Sequence, residues 1–207
     1  MCMPVIYVIL SAIIGYLLGS INSSIIVGKA YGIDIRQHGS GNAGTTNVLR
    51  TLGKKAALFV LIGDVLKGVV AYLAGYAMAD GIGAMAGGTA AILGHNWPLY
   101  FRFRGGKGAL TSITVVLMMD PLIGLIILGV FVVVVALTRY VSLGSIIGAV
   151  LFPILALIFN RDLNFIVFAL AIGLLVIFRH SSNIRRILNG TESKLGVKKT
   201  TERQSLE

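Results

Sequence analysis

Residues 130–137 read Val130-Phe131-Val132-Val133-Val134-Val135-Ala136-Leu137, eight apolar side chains with nothing polar on any face. A helix in water needs a polar side to show to solvent, and this one has none. Set inside an apolar run from 122 to 138, it belongs in lipid, where about 20 apolar residues cross the hydrocarbon core. The composition agrees: of 207 residues, 56% are hydrophobic and 13% charged, against about 25% charged in soluble domains. Mean hydropathy is +0.89. The chain is read as an all-α integral membrane protein.

Working outward, the predicted spans are 4–27, 56–78, a short small-residue-rich segment 81–93, a second short segment 108–119, then 122–138, 142–159 and 165–178. Gly15, Gly19 and Ser20 on the first span permit close helix contact. Asp120-Pro121 breaks the chain, because a residue before proline is pushed out of the helical region. The expectation is a bundle of seven transmembrane helices; a count of five, with the two short segments re-entrant, has the same sidedness. The first apolar stretch lacks a basic leader and exceeds a signal-peptide core, so it reads as a retained span. Residues 1–197 are expected to form one membrane-embedded domain, with a polar, disordered tail at 198–207.

Net charge is +10, from 18 Lys+Arg against 8 Asp+Glu. The basic residues sit in the short links between apolar runs, which argues for topology and anionic partners rather than nucleic acid. All but Arg161 and Lys67 fall on one side if an odd number of spans precedes each basic segment. The N-terminus is then outside and the C-terminus cytoplasmic. Asp80, Asp120 and Asp162 fall near the outer side and read as solvated ends. Cys2 is the single cysteine, so neither an intrachain disulfide nor a cysteine metal site is expected. No metal or cofactor is implied, and the residues carry no signal for an oligomeric state.

Three polar clusters share the cytoplasmic face. The first is His38-Gly39-Ser40-Gly41-Asn42-Ala43-Gly44-Thr45-Thr46-Asn47, within a polar loop from 31 to 55 and flanked by Arg36 and Arg50. Its glycines allow successive N–H groups to face one anion, and the arginines add forked donors for phosphate. The second runs from His95-Asn96-Trp97-Pro98 to Gly105-Gly106-Lys107-Gly108, at the start of a helix. Glycine amides there meet an anion with the positive end of the helix dipole, and Lys107 adds a mobile charge. The third is Arg179-His180-Ser181-Ser182-Asn183-Ile184-Arg185-Arg186, with Gly190-Thr191-Glu192 behind it.

His180 at a helix end either bonds the last carbonyls or serves as donor or proton carrier beside a phosphate. Asn183 shares its face if the helix continues. Glu192 is expected to pair with a loop arginine and fix the tail. Asp64 and Lys67, three apart within a span, are expected to pair and brace the site, since an unpaired charge there is costly. Ser142 and Ser145 open a helix; Ser142 can cap it or reach a ligand.

Competing motifs fail on context. Gly39-x-Gly41-x-x-Gly44 matches a dinucleotide fingerprint, yet a membrane-length run precedes it instead of a short strand. Lys107 lacks the upstream glycine of a Walker loop. The histidine–aspartate spacing of many acyltransferases is absent: the fifth residues after His38, His95 and His180 are Ala43, Tyr100 and Arg185.

The three clusters, with Asp64-Val65-Leu66-Lys67-Gly68, resemble the bacterial membrane glycerol-3-phosphate acyltransferases that use acyl phosphate as donor. The match is collinear over about residues 4–196; Thr45 stands where that family commonly has alanine, and Leu110 where a small residue is usual. The resemblance implies seven helices with a cytoplasm-facing site. It implies acyl transfer from acyl phosphate to the 1-hydroxyl of glycerol 3-phosphate, giving lysophosphatidic acid and inorganic phosphate. On that footing Ser40, Arg50 and Lys107 are expected to contact glycerol phosphate, with His180 and Asn183 orienting the attacking side. Gly105, Gly106 and Gly108 would frame a phosphate. Gly39, Gly41, Asn42, Thr46, Asn47 and Ser142 are further candidate binding residues, with Asp64, Lys67 and Glu192 as support. A transporter or receptor for small organophosphates, and a non-catalytic membrane scaffold, are the alternatives weighed against this.

Overall fold

A computed structural model describes residues 5–196; Cys2, Pro4 and the polar tail expected at 198–207 lie outside them. The regular secondary structure of the described residues is helical, with the α-helices α1 (Val5–Ser20), α2 (Ser23–Ala30), α3 (Thr45–Leu52), α4 (Lys54–Asn96), α5 (Ala109–Met119), α6 (Pro121–Thr138), α7 (Val141–Ile158), α8 (Leu163–Arg179) and α9 (Ser181–Leu188). By length and composition four stretches can cross a membrane: Val5–Ala30, Lys54–Phe101, Pro121–Thr138 and Val141–Ile158. A fifth is made by α8 and α9 if that pair, bent by 57°, counts as one span. The apolar α5 is shorter.

The α4 helix doubles back. Ala79 (φ −152°) and Asp80 (φ +46°) leave the helical region, and Gly75 then lies against Gly83 closely enough that a Cβ on either would sit 2.1–2.2 Å from the other's carbonyl oxygen. The second half of α4 is thereby sandwiched between its first half and α1. Glycines make the approach. A Cβ on Gly15 would lie 2.1 Å from Gly87 O, one on Gly19 2.1 Å from Ala91 O, and one on Gly94 2.4 Å from Tyr16 O. Two small-x-x-x-small pairs, Gly15/Gly19 and Gly87/Ala91, thus face each other, the arrangement that lets helix backbones pack in lipid.

The first predicted span is not continuous. Asn22, fully buried, takes extended geometry and caps α2 by accepting from Ile25 N (3.1 Å). The break frees the Ile21 carbonyl, which accepts from Lys67 Nζ at 3.2 Å. Lys67 Nζ also lies 2.8 Å from Asp64 Oδ1 and 2.7 Å from His95 Nδ1. The Ile21 carbonyl and His95 Nδ1 take hydrogen bonds from the ammonium, and the Asp64 carboxylate stands beside it as a buried ion pair where one was expected.

At the opposite end, Asp120 departs from expectation. It is buried, caps α6 through Ile123 N (3.1 Å), and pairs with Arg161 Nε at 2.6 Å. Capping before Pro121 at the first helical position suits both residues. Asp162 caps α8 through Phe165 N (3.0 Å).

Two apolar clusters hold the bundle. One, built on Val115, Ile123, Phe152, Phe165, Phe168 and Ile172, joins α5 to α8. The other, Ile25, Ile35, Ala43, Val48, Ala56 and Val60, lies beneath the first polar loop. Full burial of side chains of this size contributes about 1.5–3 kcal/mol each, which fixes a loop otherwise rich in glycine.

Candidate active site

The first cluster is held by Asn47. Its Oδ1 accepts from Ser40 N (2.8 Å), and its Nδ2 donates to His38 O (2.9 Å) and Ile35 O (3.1 Å). Gly39 (φ +61°) must be glycine, since a Cβ would lie 2.3 Å from Asn47 Oδ1. Asn47 therefore shapes the loop and has no polar hydrogen left for a ligand. The expected glycine nest also changes character: Gly41 N donates to His38 O and Gly44 N to Asn42 O. The open donors lie one step on. The α3 helix begins after Gly44 with no side-chain cap, and Gly44, Thr45 and Thr46 line a cavity. An uncapped helix N-terminus presents N–H groups and the positive dipole end. Arg36, read as a phosphate donor, is a brace: it pairs with Asp34 (2.7 Å) and donates to the carbonyls of Phe101 and Arg104 (3.3 Å each).

The second cluster wraps His95. A Cβ on Gly105 would lie 2.1 Å from His95 O, and one on Gly106 would lie 2.2 Å from His95 Nε2 and 2.3 Å from Ala43 O. Their amides donate to Asn96 O (3.3 Å) and His95 O (3.1 Å). These two glycines serve close packing rather than framing a phosphate with free amides, which corrects the expectation. Gly106 O accepts from Arg179 Nη2 at 2.5 Å, and the Arg179 guanidinium stacks over Trp97 (4.9 Å to the ring centre). Gly108 (φ +73°) then turns the chain into α5, which again begins without a side-chain cap.

In the third cluster α8 ends at Arg179 and α9 starts at Ser181. His180 Nδ1 lies 2.7 Å from Val176 O. A carbonyl only accepts, so Nδ1 carries the hydrogen and Nε2 of the neutral ring is an acceptor. The carbonyl-bonding role foreseen for His180 and a ligand-facing role are thus compatible. Asn183 is buried; its Oδ1 accepts from Lys107 Nζ and its Nδ2 donates to Glu192 Oε1 (2.7 Å). Glu192 also accepts from Ser142 Oγ (2.6 Å) and Arg186 Nε (2.7 Å). Ser142 does not cap α7, whose preceding residue is Tyr140. Glu192 pairs with Arg186 of its own segment, while Arg50 Nη2 donates to Ser193 O at 2.8 Å.

These pieces enclose a cavity of about 530 Å³. At one end stand Ser40, Asn42, Arg50, Lys107, Ser142, His180, Asn183 and Glu192; at the other stand apolar side chains of α5, α6, α7 and α8. A second, polar cleft of about 350 Å³ is lined by Gly41, Gly105, Arg179, Ser181, Ser182 and Arg186, and shares Ser40, Asn42 and Lys107 with the first. The residues expected to act together are thus brought to one place, and of the binding candidates only Gly39 and Gly106 line neither space. Burial, then the Arg186 charge, bring the Lys107 ammonium down to about 8, with Glu192 opposing. Burial pushes the Glu192 carboxyl up, but the hydrogen bonds from Ser142, Asn183 and Arg186 outweigh it and leave it below the usual range.

His95 and Asn96 open the second polar cluster but were assigned no role in the site from sequence. Asn96 is fully buried with neither amide atom partnered, and His95 joins the Asp64–Lys67 pair to the Gly105-Gly106 turn. The signal lay in the sequence as His95-Asn96 at the end of a span, but their partners come from distant residues. Among the described residues, no group of three or more His, Cys, Asp or Glu is placed to hold a metal.

The sequence model of the glycerol-3-phosphate acyltransferase family matches residues 9–190. A glycerol-3-phosphate acyltransferase of Thermoanaerobacter sp. (strain X514) is 54% identical over 193 residues, covering 93% of this chain and 98% of that protein. One from Clostridioides difficile (strain 630) is 48% identical over 204 residues, covering 95% and 100%. Two crystal structures of PlsY (YgiH), an integral membrane glycerol 3-phosphate acyltransferase, superpose on the fold. The glycerol 3-phosphate form has TM-score 0.87 at 37% identity, covering 91% of this chain and 96% of that one. The lysophosphatidic acid form has TM-score 0.83 at 36% identity, covering 90% and 94%.

Proposed function

The chain belongs to the glycerol-3-phosphate acyltransferase family, and from that premise we propose that it moves a fatty acyl group from acyl phosphate to the 1-hydroxyl of glycerol 3-phosphate. The products are lysophosphatidic acid and inorganic phosphate, an entry step of phospholipid biosynthesis. The observation that carries the reading is the two-sided cavity: cations, amides and helix N-termini at one end, hydrocarbon at the other. An acyl phosphate has the same two-sided character, and glycerol 3-phosphate supplies a second anion for the same cationic rim.

The chemistry asks little of side-chain nucleophiles. Acyl phosphate is a mixed anhydride with a good leaving group, so positioning and charge stabilisation supply most of the rate. The glycerol hydroxyl oxygen forms a bond to the carbonyl carbon as the bond from that carbon to the bridging oxygen breaks, and the bridging oxygen leaves with phosphate. The hydroxyl proton passes to a phosphate oxygen. Ser40, Arg50 and Lys107 hold the phosphates with the open amides of α3 and α5. His180 Nε2 accepts a hydrogen bond from the attacking hydroxyl and orients it, with Asn183 beside it. Asn42 and Thr46 complete the rim. Glu192 clamps Ser142, Asn183 and Arg186, and the Asp64–Lys67–His95 group holds the Gly105-Gly106 turn beneath Lys107.

The topology we propose has seven crossings: α1 with α2, each half of α4, α5, α6, α7 and α8. The N-terminus is outside and the site faces the cytoplasm of a bacterial inner membrane, with residues 1–197 acting as one unit. The Asp120–Arg161 pair at the end opposite the site supports this parity. The test is release of phosphate by purified protein in detergent. Palmitoyl phosphate should yield phosphate only when glycerol 3-phosphate is present, and palmitoyl-CoA should not replace it. Equal use of the CoA thioester would overturn the donor assignment.

A further inference from the structure

The apolar end of the cavity closes at one depth on four helices. The last lining residues away from the polar rim are Val116 on α5, Ile127 on α6, Phe152 on α7 and Ile172 on α8. All four are buried and belong to the central apolar cluster. Phe152 is the largest of them. It lies ten residues beyond Ser142, which at ~1.5 Å of rise per residue places it about 15 Å below the rim. Its ring is held edge-to-face by Phe165 and Phe168, both at 5.8 Å between centroids. Such pairs resist rotation of the ring more than area burial alone would. The floor is therefore a braced aromatic ring, not a flexible chain end.

Above it the wall is cut back. Gly144 and Gly148, the latter about 9 Å below the rim by the same rise, add no side chain to the α7 lining, which between Ser142 and Phe152 otherwise carries only the small Ser145 and Ala149. Ala149 and Gly173 continue the narrow-residue strip towards Phe152. An extended hydrocarbon advances roughly 1.25 Å per carbon, given C–C bonds of ~1.5 Å. The channel then takes on the order of 12 carbons before the chain meets the ring, and longer chains must coil or leave between helices.

We propose that Phe152 is the end-stop that sets acyl-chain length, with Gly148 keeping the channel open above it. This rests on the acyl-phosphate reading of the cavity. A methylene that the channel holds gains packing contacts, and the gain ceases where the channel ends. Chain-length preference should accordingly rise to an optimum and fall beyond it.

The experiment compares phosphate release from a series of saturated acyl phosphates, decanoyl to octadecanoyl, with glycerol 3-phosphate held constant. Phe152→Leu and Phe152→Ala should move the optimum to longer chains, with a cooperative thermal transition in detergent as the measure of intact folding. Gly148→Ala should move it to shorter ones, because the added Cβ meets Ile127 Cγ2 at 2.9 Å inside the channel. If Phe152→Ala does not fold, Phe152→Leu and Gly148→Ala carry the test. Chain-length profiles that superpose on wild type in both would overturn the end-stop while leaving the acyl-transfer reading intact. A wild-type protein that released no phosphate from any chain length would instead remove the reading itself.

Discussion

Replacing Lys107 by alanine removes the one cation among the described residues that lines both cavities. Lys107 Nζ donates to Asn183 Oδ1 and lines the polar cleft as well as the two-sided cavity. A hydrogen bond involving a charged group contributes about 1.5–3 kcal/mol, so Lys107→Ala should lower kcat/KM by about tenfold to 150-fold. The pH dependence is more specific. Burial brings the ammonium to about 8, so the charge is present at pH 7 and is lost as pH rises through 8. The alkaline limb of kcat/KM, which reports the free enzyme, should fall near pH 8. The limb of kcat should lie higher, because a bound phosphate favours the charged lysine. Lys107→Arg keeps its charge throughout and should lose that limb. Steady-state phosphate release between pH 6 and 10 measures all three. A Lys107→Ala rate within threefold of wild type, or an unchanged limb in Lys107→Arg, would refute the assignment.

Lys67→Met leaves Asp64 buried without its cation and should cost about 3–5 kcal/mol, read as a lower Tm in detergent; adding Asp64→Asn should recover part of the loss. Gly19→Ala drives a methyl into the Ala91 carbonyl and should destabilise by about 1–3 kcal/mol, whereas Gly129→Ala, with open space around it, should stay within about 0.5 kcal/mol. His180→Ala should lose at least tenfold in kcat. Because Nδ1 is committed to Val176 O, His180→Gln, which keeps an acceptor near the Nε2 position, should retain more activity than His180→Asn; the reverse order would count against the hydroxyl-orienting role. Glu192→Gln places amide hydrogens against donors now received from Ser142, Asn183 or Arg186 and should lower both Tm and kcat.

The membrane class was legible because apolar runs such as 130–137 have no polar face, and no soluble packing accommodates that. Asp120-Pro121 marked a helix boundary for a reason contained in two residues. The glycines of α1 could be read as contact sites, although their partners at Gly87 and Ala91 become visible only once α4 folds back at Ala79–Asp80. The roles of Asn47, Arg36, Gly105 and Gly106 were not legible. An amide, guanidinium or glycine in a polar loop has the same signature whether it meets a ligand or the protein's own backbone, and here the backbone takes them. The Asp64–Lys67 pair is local and was anticipated. Its third member, His95, and the break at Asn22 depend on contacts across dozens of residues, which no spacing rule encodes. The convergence of Ser40, Lys107 and His180 was inferred from sidedness and from the family resemblance, and the cavity they share is where the fold brings them.

Attack of the glycerol 1-hydroxyl on the donor's carbonyl carbon is tested most sharply by following an oxygen atom. Glycerol 3-phosphate labelled with ¹⁸O at the 1-hydroxyl should deliver its label wholly into the ester bridge of lysophosphatidic acid, with none in the released phosphate, because the bond that breaks joins the donor carbonyl carbon to phosphate. Label appearing in phosphate, or an unlabelled ester, would contradict the account.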